Sequence, residues 1–299
     1  MNVPRITMNQ EGLSISRMVA GCWRMAEWDW QPAQRLAWIE SCLERGISCF
    51  DHADIYGNYA GERIFGEALA LAPHLREKME LVSKTGIALL SSARPQHRVK
   101  HYDCSRTHIV SSVEASLKNL NTTYLDVLLI HRPSPLMHPD EVAAAFYELK
   151  QSGKVRAFGV SNFTPSQFEM LNAAFPLVTN QVECSPLHTA PLFDGTFDQA
   201  LALKLPPMIW SALGGGALFS EDERAKRVRG VLQRLADARG VSIETVVYAW
   251  LLRHPARLIP ILGSRRETAL DAAVQACAWE MDLQDWFEIL EAGAGQPVP

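Results

Sequence analysis

The chain has 299 residues, 47% of them hydrophobic, and a formal net charge of −4 from 29 basic and 33 acidic residues. Charges of both signs are interspersed without a basic stripe, which argues against nucleic acid or an anionic membrane as partners. No apolar run approaches the ~20 residues that span a bilayer, and no N-terminal secretion signal is visible, so the sequence predicts a cytoplasmic protein.

Apolar, strand-like runs alternate with helical patterns along the chain. After a hairpin over residues 5–16, strands are predicted over 18–23, 47–51, 79–84, 124–131, 156–161, 177–181, 207–211 and 257–262. Helices are predicted over 32–45, 62–71, 106–119, 140–151, 191–203, 221–239, 242–252, 265–277 and 283–292, with one more that begins near residue 164. Such alternation implies a parallel sheet, and eight units imply closure. We therefore predict an α/β fold, a (β/α)8 TIM barrel with an N-terminal β-hairpin and an extra C-terminal helix, as one domain over 1–299.

The helix near residue 164 has the clearest start signal. Thr164 can cap it, Pro165 suits its first position, and Gln167 completes a capping box. Phe163 and Phe168 then stand at the two positions of a hydrophobic staple.

The second predicted strand runs into the segment FDHADIYG, which places Asp51, His52, Asp54 and Tyr56 close together. A short apolar run that ends in several titratable groups is typical of a buried strand whose exit carries chemistry. The same residue types also begin ordinary loops, so the rest of the chain must decide.

In a barrel of this kind, functional residues lie at the carboxyl ends of the strands. The side chains at these ends are Asp51 and Tyr56, Lys84, His131, Ser161 and Asn162, Gln181, Trp210 and Ser211, and Gly263, Ser264 and Arg265. The charge of Lys84 at the end of a hydrophobic strand needs a partner, and Asp51 on the neighbouring strand can provide it.

Tyrosine, lysine, aspartate and histidine together suit the protonation of a carbonyl oxygen while a nucleophile attacks the carbon. A free tyrosine has a pKa of about 10, and a nearby ammonium should lower it. We therefore expect Tyr56 to be the acid, Lys84 and Asp51 to tune it, and His131 to orient the carbonyl by a hydrogen bond.

The motifs FDHADIYG, the strand that ends in Lys84, LLIHRP, GVSNFTP, NQVECSP, WSALGGGAL and IPILGSRR occur in this order, and the whole chain resembles the aldo-keto reductase superfamily. The resemblance implies that Asp51, Tyr56, Lys84 and His131 are the catalytic tetrad. It also implies NADPH (NADP) as cofactor, a small-molecule aldehyde or ketone as substrate, and a monomer. A complete G-x-G-x-x-G motif is missing, in keeping with a cofactor bound across a barrel.

The resemblance also implies a set of cofactor-binding residues. Ser161, Asn162 and Gln181 would hold the nicotinamide carboxamide, Trp210 would stack on the ring, Ser211, Leu213 and Gly215 would line the pyrophosphate, and Gly263, Ser264 and Arg265 would lie at the 2′-phosphate. Alanines at 269, 272 and 273 replace polar residues that usually contact adenosine. The preference for NADPH over NADH is therefore open.

Two residues are predicted to contact substrate. Trp23 follows the first strand, where it can line an apolar pocket or simply pack. His52 stands where the family commonly has Ser or Thr, and its side chain can either face the pocket or pack behind the strand. Cys49 and His52 have a C-x-x-H spacing, but no second ligand pair follows, so no metal is predicted.

Two other functions stay open at this point. The missing adenine contacts would suit a cofactor-binding sensor or structural subunit with little turnover. A barrel hydrolase that uses Asp51 and Asp54 as a carboxylate pair is the third possibility.

Overall fold

The computed structural model describes residues 2–9 and 11–298, and within them eight parallel strands close into a barrel. The strands are β1 (Arg5–Thr7), β2 (Ser14–Ser16), β3 (Val19–Gly21), β4 (Cys49–Asp51), β5 (Glu80–Thr85), β6 (Ile87–Ala88), β7 (His101–Tyr102), β8 (Leu125–Ile130), β9 (Val155–Ser161), β10 (Asn180–Glu183), β11 (Met208–Trp210) and β12 (Ile259–Leu262). The barrel order is β3-β4-β5-β8-β9-β10-β11-β12, and β12 pairs with β3 to close the ring. The predicted (β/α)8 barrel is confirmed.

Helices follow the barrel strands on the outside. They are α1 (Pro32–Glu44), α2 (Tyr56–Tyr59), α3 (Gly61–Leu69), α4 (Arg106–Asn119), α5 (Pro139–Gln151), α6 (Pro165–Ala174), α7 (Thr196–Leu203), α8 (Glu223–Arg239), α9 (Ile243–Leu252), α10 (Glu267–Cys277) and α11 (Leu283–Ala294). In the described part of the chain, none of them is long and apolar enough to cross a membrane.

The start of α6 forms as its sequence predicts. The Gln167 amide donates to Thr164 Oγ1 at 3.3 Å, and the Thr164 amide donates to Gln167 Oε1 at 3.0 Å. Phe163 and Phe168, at the staple positions, are both buried. This capping box satisfies backbone donors that the first turn of a helix leaves free.

Two predicted elements differ clearly from the structure, and one pair of strands was not predicted. The helix over 191–203 is split into a 3-10 turn over Ala190–Leu192 and α7, because Gly195 between them has a φ of +88°. The sixth barrel strand pairs over 180–183 rather than 177–181. The long connection over 85–105 contains the antiparallel pair β6–β7, which sequence patterns did not indicate.

The hairpin β1–β2 closes the amino-terminal end of the barrel. Its Ile6 and Ile15, with Met8, join the apolar residues that fill the barrel interior, among them Val82 and Leu129. A second apolar layer lies between the strands and the helices. Apolar side chains fill the barrel interior next to the hairpin, which leaves the carboxyl ends of the strands for polar groups that point into the barrel.

Candidate active site

Lys84 is the centre of a buried polar cluster at the carboxyl end of the barrel. Its Nζ donates to both Asp51 oxygens, at 2.8 Å and 2.7 Å, and to the His52 carbonyl at 2.8 Å. The fourth contact is the Tyr56 hydroxyl oxygen, 3.0 Å away. Lys84 and Asp51 are 1% and 3% exposed, so the ion pair lies in the protein interior.

Strand register explains why these side chains meet. Asp51 on β4 pairs with Val82 on β5, and Lys84 lies two residues further along the same strand. Side chains two apart on a strand share a face, so Val82 and Lys84 both point into the barrel beside Asp51. The next strand, β8, then leads into His131, whose amide donates to the Thr85 carbonyl at 2.8 Å.

A left-handed turn holds Tyr56 against the lysine. Gly57, Asn58 and Tyr59 have φ values of 58°, 56° and 69°. A Cβ on Gly57 would lie only 2.5 Å from the Ala26 Cβ, so a larger residue would displace the loop. Strained backbone of this kind is found where a fold fixes functional groups precisely in place.

Protonation of the cluster follows from burial and neighbouring charges. Burial opposes the charge on Lys84, but Asp51 and Tyr56 outweigh it and the pKa of Lys84 is raised. Burial also raises the pKa of Tyr56, and the opposing effect of Lys84 is smaller. The expectation of a lowered tyrosine pKa is therefore wrong in its net direction: the Tyr56 hydroxyl keeps its proton at neutral pH.

His131 is neutral in this setting. Burial, followed by the charges of Lys84 and Arg132, holds its pKa well below the ordinary value of 6.5. Its ring centroid lies 6.0 Å from that of Tyr56. The Nδ1 atom is buried without a hydrogen-bond partner among the described residues. No acceptor holds the proton at Nδ1, so Nε2 is free to carry it and to donate.

The four residues predicted around the nicotinamide lie together. Asn162 donates through Nδ2 to Ser161 Oγ at 2.6 Å and accepts from Trp210 Nε1 at 3.1 Å. Ser161 Oγ donates to the Gln181 carbonyl at 2.9 Å. Gln181 Nε2 donates to Asp51 Oδ1 at 2.8 Å. One hydrogen-bond network thus joins these amide and hydroxyl groups to the Asp51–Lys84 pair, and such groups suit a carboxamide ligand.

The segment after β11 has the backbone shape of an anion-binding loop. Ser211, Gly214, Gly215 and Gly216 have φ values of 53°, 61°, 62° and 101°, and Leu213 lies between the first two. A Cβ on Gly215 would lie 3.6 Å from Ser211 Oγ, so the missing side chain keeps space beside that hydroxyl. Successive amides in left-handed conformations make concavities that bind anions. The predicted pyrophosphate residues fit this role.

The three residues after β12 form an exposed, basic end of the site. Ser264 Oγ accepts from the Arg266 amide at 3.2 Å, and Arg266 pairs with Glu244 at 2.9 Å. Arg265 is exposed, and its Cζ lies 5.5 Å from the Trp30 ring centroid. Gly263, also exposed, has no atom within 4 Å of an added Cβ. Arg265 therefore presents an exposed guanidinium beyond the carboxyl end of β12.

The alanines that replace adenosine-binding residues are buried. Ala269, Ala272 and Ala273 are exposed by at most 2%. All three lie on α10, which packs mainly against α9. These positions therefore supply packing for the helix rather than polar groups for a ligand.

The two predicted substrate residues have different surroundings. Trp23 is 57% exposed, and the Arg24 guanidinium lies 5.3 Å from its ring centroid. The Trp23 side chain is therefore accessible to a ligand at the end of β3. His52 is 1% exposed and packs on Phe65 of α3, with ring centroids 4.5 Å apart. The prediction that His52 contacts substrate is wrong. Side chains alternate along the strand, so Asp51 points into the barrel and His52 points outward.

Asp54 also faces away from Asp51. Its Oδ2 accepts from Ser112 Oγ on α4 at 3.0 Å, while Asp51 is bound to Lys84. The two carboxylates therefore do not form the pair that a glycosidase-like hydrolase would need.

One residue at this end of the barrel escaped the sequence analysis. Arg132 directly follows His131, is half-buried, and has its Cζ 5.6 Å from the Trp210 ring centroid. Its Nη1 is buried and has no hydrogen-bond partner in the part of the chain that the structure describes. The sequence feature that could have identified Arg132 is a positively charged residue directly after a histidine at the end of a strand.

A closed parallel barrel with a buried tyrosine–lysine–aspartate cluster and a neutral histidine defines a class of barrel oxidoreductases. The model of the Aldo/keto reductase family matches residues 17–293, and the chain belongs to this family. The resemblance seen in the sequence is thereby confirmed.

Close relatives support the assignment over the full length. Oxidoreductase YdhF of Escherichia coli (strain K12) is 51% identical, over 99% of this chain and 100% of the relative. A 6-dehydroglucose reductase of Agrobacterium fabrum (strain C58) is 43% identical, over 98% and 99%. A solved aldo/keto reductase from Klebsiella pneumoniae, in complex with NADP and acetate, shares the fold with a TM-score of 0.79 at 23% identity, covering 99% and 97% of the two chains. The chain is an oxidoreductase of this family.

Proposed function

We propose that the chain is an NADPH-dependent carbonyl reductase that converts an aldehyde or ketone to an alcohol. The observation that carries the proposal is the Tyr56 hydroxyl, held 3.0 Å from a lysine that is itself ion-paired to Asp51. When bound, NADPH supplies a hydride to the carbonyl carbon. The network of Ser161, Asn162, Gln181 and Trp210 would hold its nicotinamide end, and the Ser211–Gly215 segment its phosphates.

Tyr56 donates its proton to the carbonyl oxygen as negative charge builds up there. The phenolate that remains would be strongly disfavoured in a buried place, as the raised pKa of Tyr56 indicates. Lys84 lies within hydrogen-bond distance of that oxygen and offsets the new charge. Asp51 keeps the lysine charged and in place. His131, neutral and free to donate from Nε2, aligns the same carbonyl oxygen.

The relatives named 6-dehydroglucose reductase make hydroxylated aldehydes the first substrates to test. We expect wild-type protein to oxidise NADPH, followed by its absorbance, in the presence of simple aldehydes, ketones and sugar aldehydes. Tyr56→Phe should lower turnover by roughly 100-fold or more, because the general acid is gone. NADPH affinity, measured by fluorescence, should stay the same.

Tyr59→Phe is the matched control, because it removes a hydroxyl from the same loop. The Tyr59 hydroxyl accepts from the Leu89 amide at 2.8 Å and takes no part in the Lys84 cluster. Turnover unchanged by Tyr56→Phe would sink the assigned mechanism. Tight NADPH binding without turnover on any carbonyl would instead support the cofactor-binding sensor.

A further inference from the structure

Arg132 lies among the residues that act on the substrate. Arg132 directly follows His131 at the end of β8 and is half-buried. Its Cζ is 5.6 Å from the ring centroid of Trp210. Its charge is also among the causes, after burial and Lys84, that lower the pKa of His131. The guanidinium therefore lies at the carboxyl end of the barrel, beside the aromatic residue and next in the chain to the orienting histidine.

Apart from its cation–π contact with Trp210, the guanidinium is unpaired among the described residues. Among the described residues, no hydrogen bond or ion pair involves it, and its Nη1 is buried. Arg76, by contrast, binds Asp126, the Tyr124 carbonyl and the Met79 carbonyl. Burying a cation with unused donors costs free energy, and burial lowers the pKa of Arg132 accordingly. A fold that keeps such a group beside its active site keeps it for a ligand.

The position of Arg132 indicates which ligand atoms it meets. Tyr56 and His131 converge on the carbonyl oxygen, so a side chain that follows His131 and faces Trp210 would meet the atoms next to that carbonyl. A guanidinium presents parallel N–H donors that match two adjacent oxygens. A carboxylate and a vicinal diol both present such a pair, whereas an unsubstituted alkyl chain leaves the donors unused.

We propose that Arg132 determines specificity by binding a pair of oxygens close to the reacting carbonyl, an inference that rests on the proposed function. The substrate class is then carbonyl compounds with a neighbouring diol or carboxylate. Apolar aldehydes gain nothing from the guanidinium, because they offer it no hydrogen-bond acceptor. A site built for hydrogen bonds discriminates strongly against analogues that lack the acceptor.

The test compares butanal, threose and 2-oxobutanoate, which have four carbons each; only threose and 2-oxobutanoate have an oxygen pair next to the carbonyl. We expect wild-type kcat/KM to be highest for threose or for 2-oxobutanoate, and the better of the two identifies the diol or the carboxylate. Arg132→Met should lower that value by about 10-fold to 100-fold and change butanal by less than about threefold. Arg132→Lys should recover only part of the loss, because one ammonium cannot reproduce the fork.

Two further measurements distinguish a role of Arg132 in substrate binding from a role in the fold. Guanidinium ion, added below denaturing concentrations, should partly restore Arg132→Ala on the oxygenated substrate and leave butanal unchanged. Arg63→Met is the matched control, since it removes a positive charge from the exposed face of α3. This control should leave all three substrates within about twofold of wild type.

Equal losses on all three substrates, or a loss of NADPH affinity instead, would overturn the assignment, because Arg132 would then serve the fold or the cofactor. Wild-type turnover with an unchanged preference in Arg132→Met would also overturn it, while the proposed function survived. Absence of wild-type turnover on every carbonyl would refute the proposed function, and this inference with it.

Discussion

Lys84 and Asp51 carry opposite charges in the protein interior, and each charge compensates the other. The carboxylate also accepts from Gln181, but that amide carries no charge to balance it. Removal of one member of a buried pair leaves an uncompensated ion, whereas removal of both charges is often close to neutral. The pair can therefore be tested for stability and for activity separately.

We expect Lys84→Met to lower the free energy of unfolding by about 3–5 kcal/mol. Lys84→Met combined with Asp51→Asn should recover most of that loss in urea denaturation. Carbonyl reduction should be lost in both proteins, because neither has a cation beside Tyr56. A double variant as unstable as the single one would mean that the pair matters for packing rather than for charge.

Arg265 and Arg266 are neighbours with different partners, which makes them a matched test of cofactor choice. Arg266 is bound to Glu244, whereas Arg265 is exposed and lies beside Trp30. If Arg265 grips the 2′-phosphate, Arg265→Ala should raise KM for NADPH by roughly tenfold or more and leave NADH unchanged. Arg266→Ala should move both by less than about threefold. Steady-state kinetics with the two cofactors decide, and a parallel change for NADPH and NADH would argue against the assignment.

At the scale of elements, α3 and α4 approach closely because residue 66 has no side chain. A Cβ on Gly66 would lie 2.0 Å from the Asn119 carbonyl oxygen at the end of α4. Gly66→Ala must push the helices apart, and we expect a loss of about 3 kcal/mol or more in the free energy of unfolding.

Gly230 in α8 supplies the opposite case, because no atom lies within 4 Å of a Cβ added there. Gly230→Ala should stabilise the protein by about 0.5–1 kcal/mol through helix propensity. Thermal and urea unfolding of both variants measure the difference. Similar effects at the two positions would show that backbone entropy, rather than the contact between the helices, dominates at Gly66.

Element order was predictable because each barrel strand and helix has its own local signal. The capping box at Thr164 and the buried run 125–130 are examples. The predictions that failed depended on backbone conformation or on pairing between separate segments of the chain. The split before α7 depends on the left-handed Gly195, and the pairing of β6 with β7 joins residues that are far apart in sequence.

The site was predictable where strand ends alone fix position, as for Lys84 and His131. For His52 the sequence left two placements open, and its packing against Phe65 shows that strand alternation continues one residue beyond Asp51. Arg132 was missed for another reason: its lack of partners becomes visible only when the neighbouring elements are in place. The net direction of the Tyr56 pKa shift likewise depends on burial, which no local pattern gives.

In the molecule as a whole, the barrel is closed and the hairpin fills its amino-terminal end, so polar groups lie near the loop that carries Tyr56. Some of these groups are poorly solvated. Asp54 is the clearest example. Burial, with the nearby Glu62 charge, raises its pKa from 3.8 to about 7, although Ser112 donates to it.

This carboxyl should make the stability of the whole protein depend on pH. Between about pH 4 and pH 7 the folded state holds a proton on Asp54 that the unfolded state has released, so the free energy of unfolding falls as pH rises through this window. A shift of this size corresponds to about 4 kcal/mol, of which local rearrangement recovers part.

Asp54→Asn removes the charge and keeps the shape. We therefore expect the variant to be more stable than wild type by about 2 kcal/mol at pH 8, and the difference to shrink toward zero near pH 4. Urea denaturation across this range measures it. The exposed Asp29, changed to Asn, is the control and should leave the pH dependence unaltered. A pH-independent difference between Asp54→Asn and wild type would show that hydrogen bonding to Ser112, rather than a buried charge, sets the energetics of this loop.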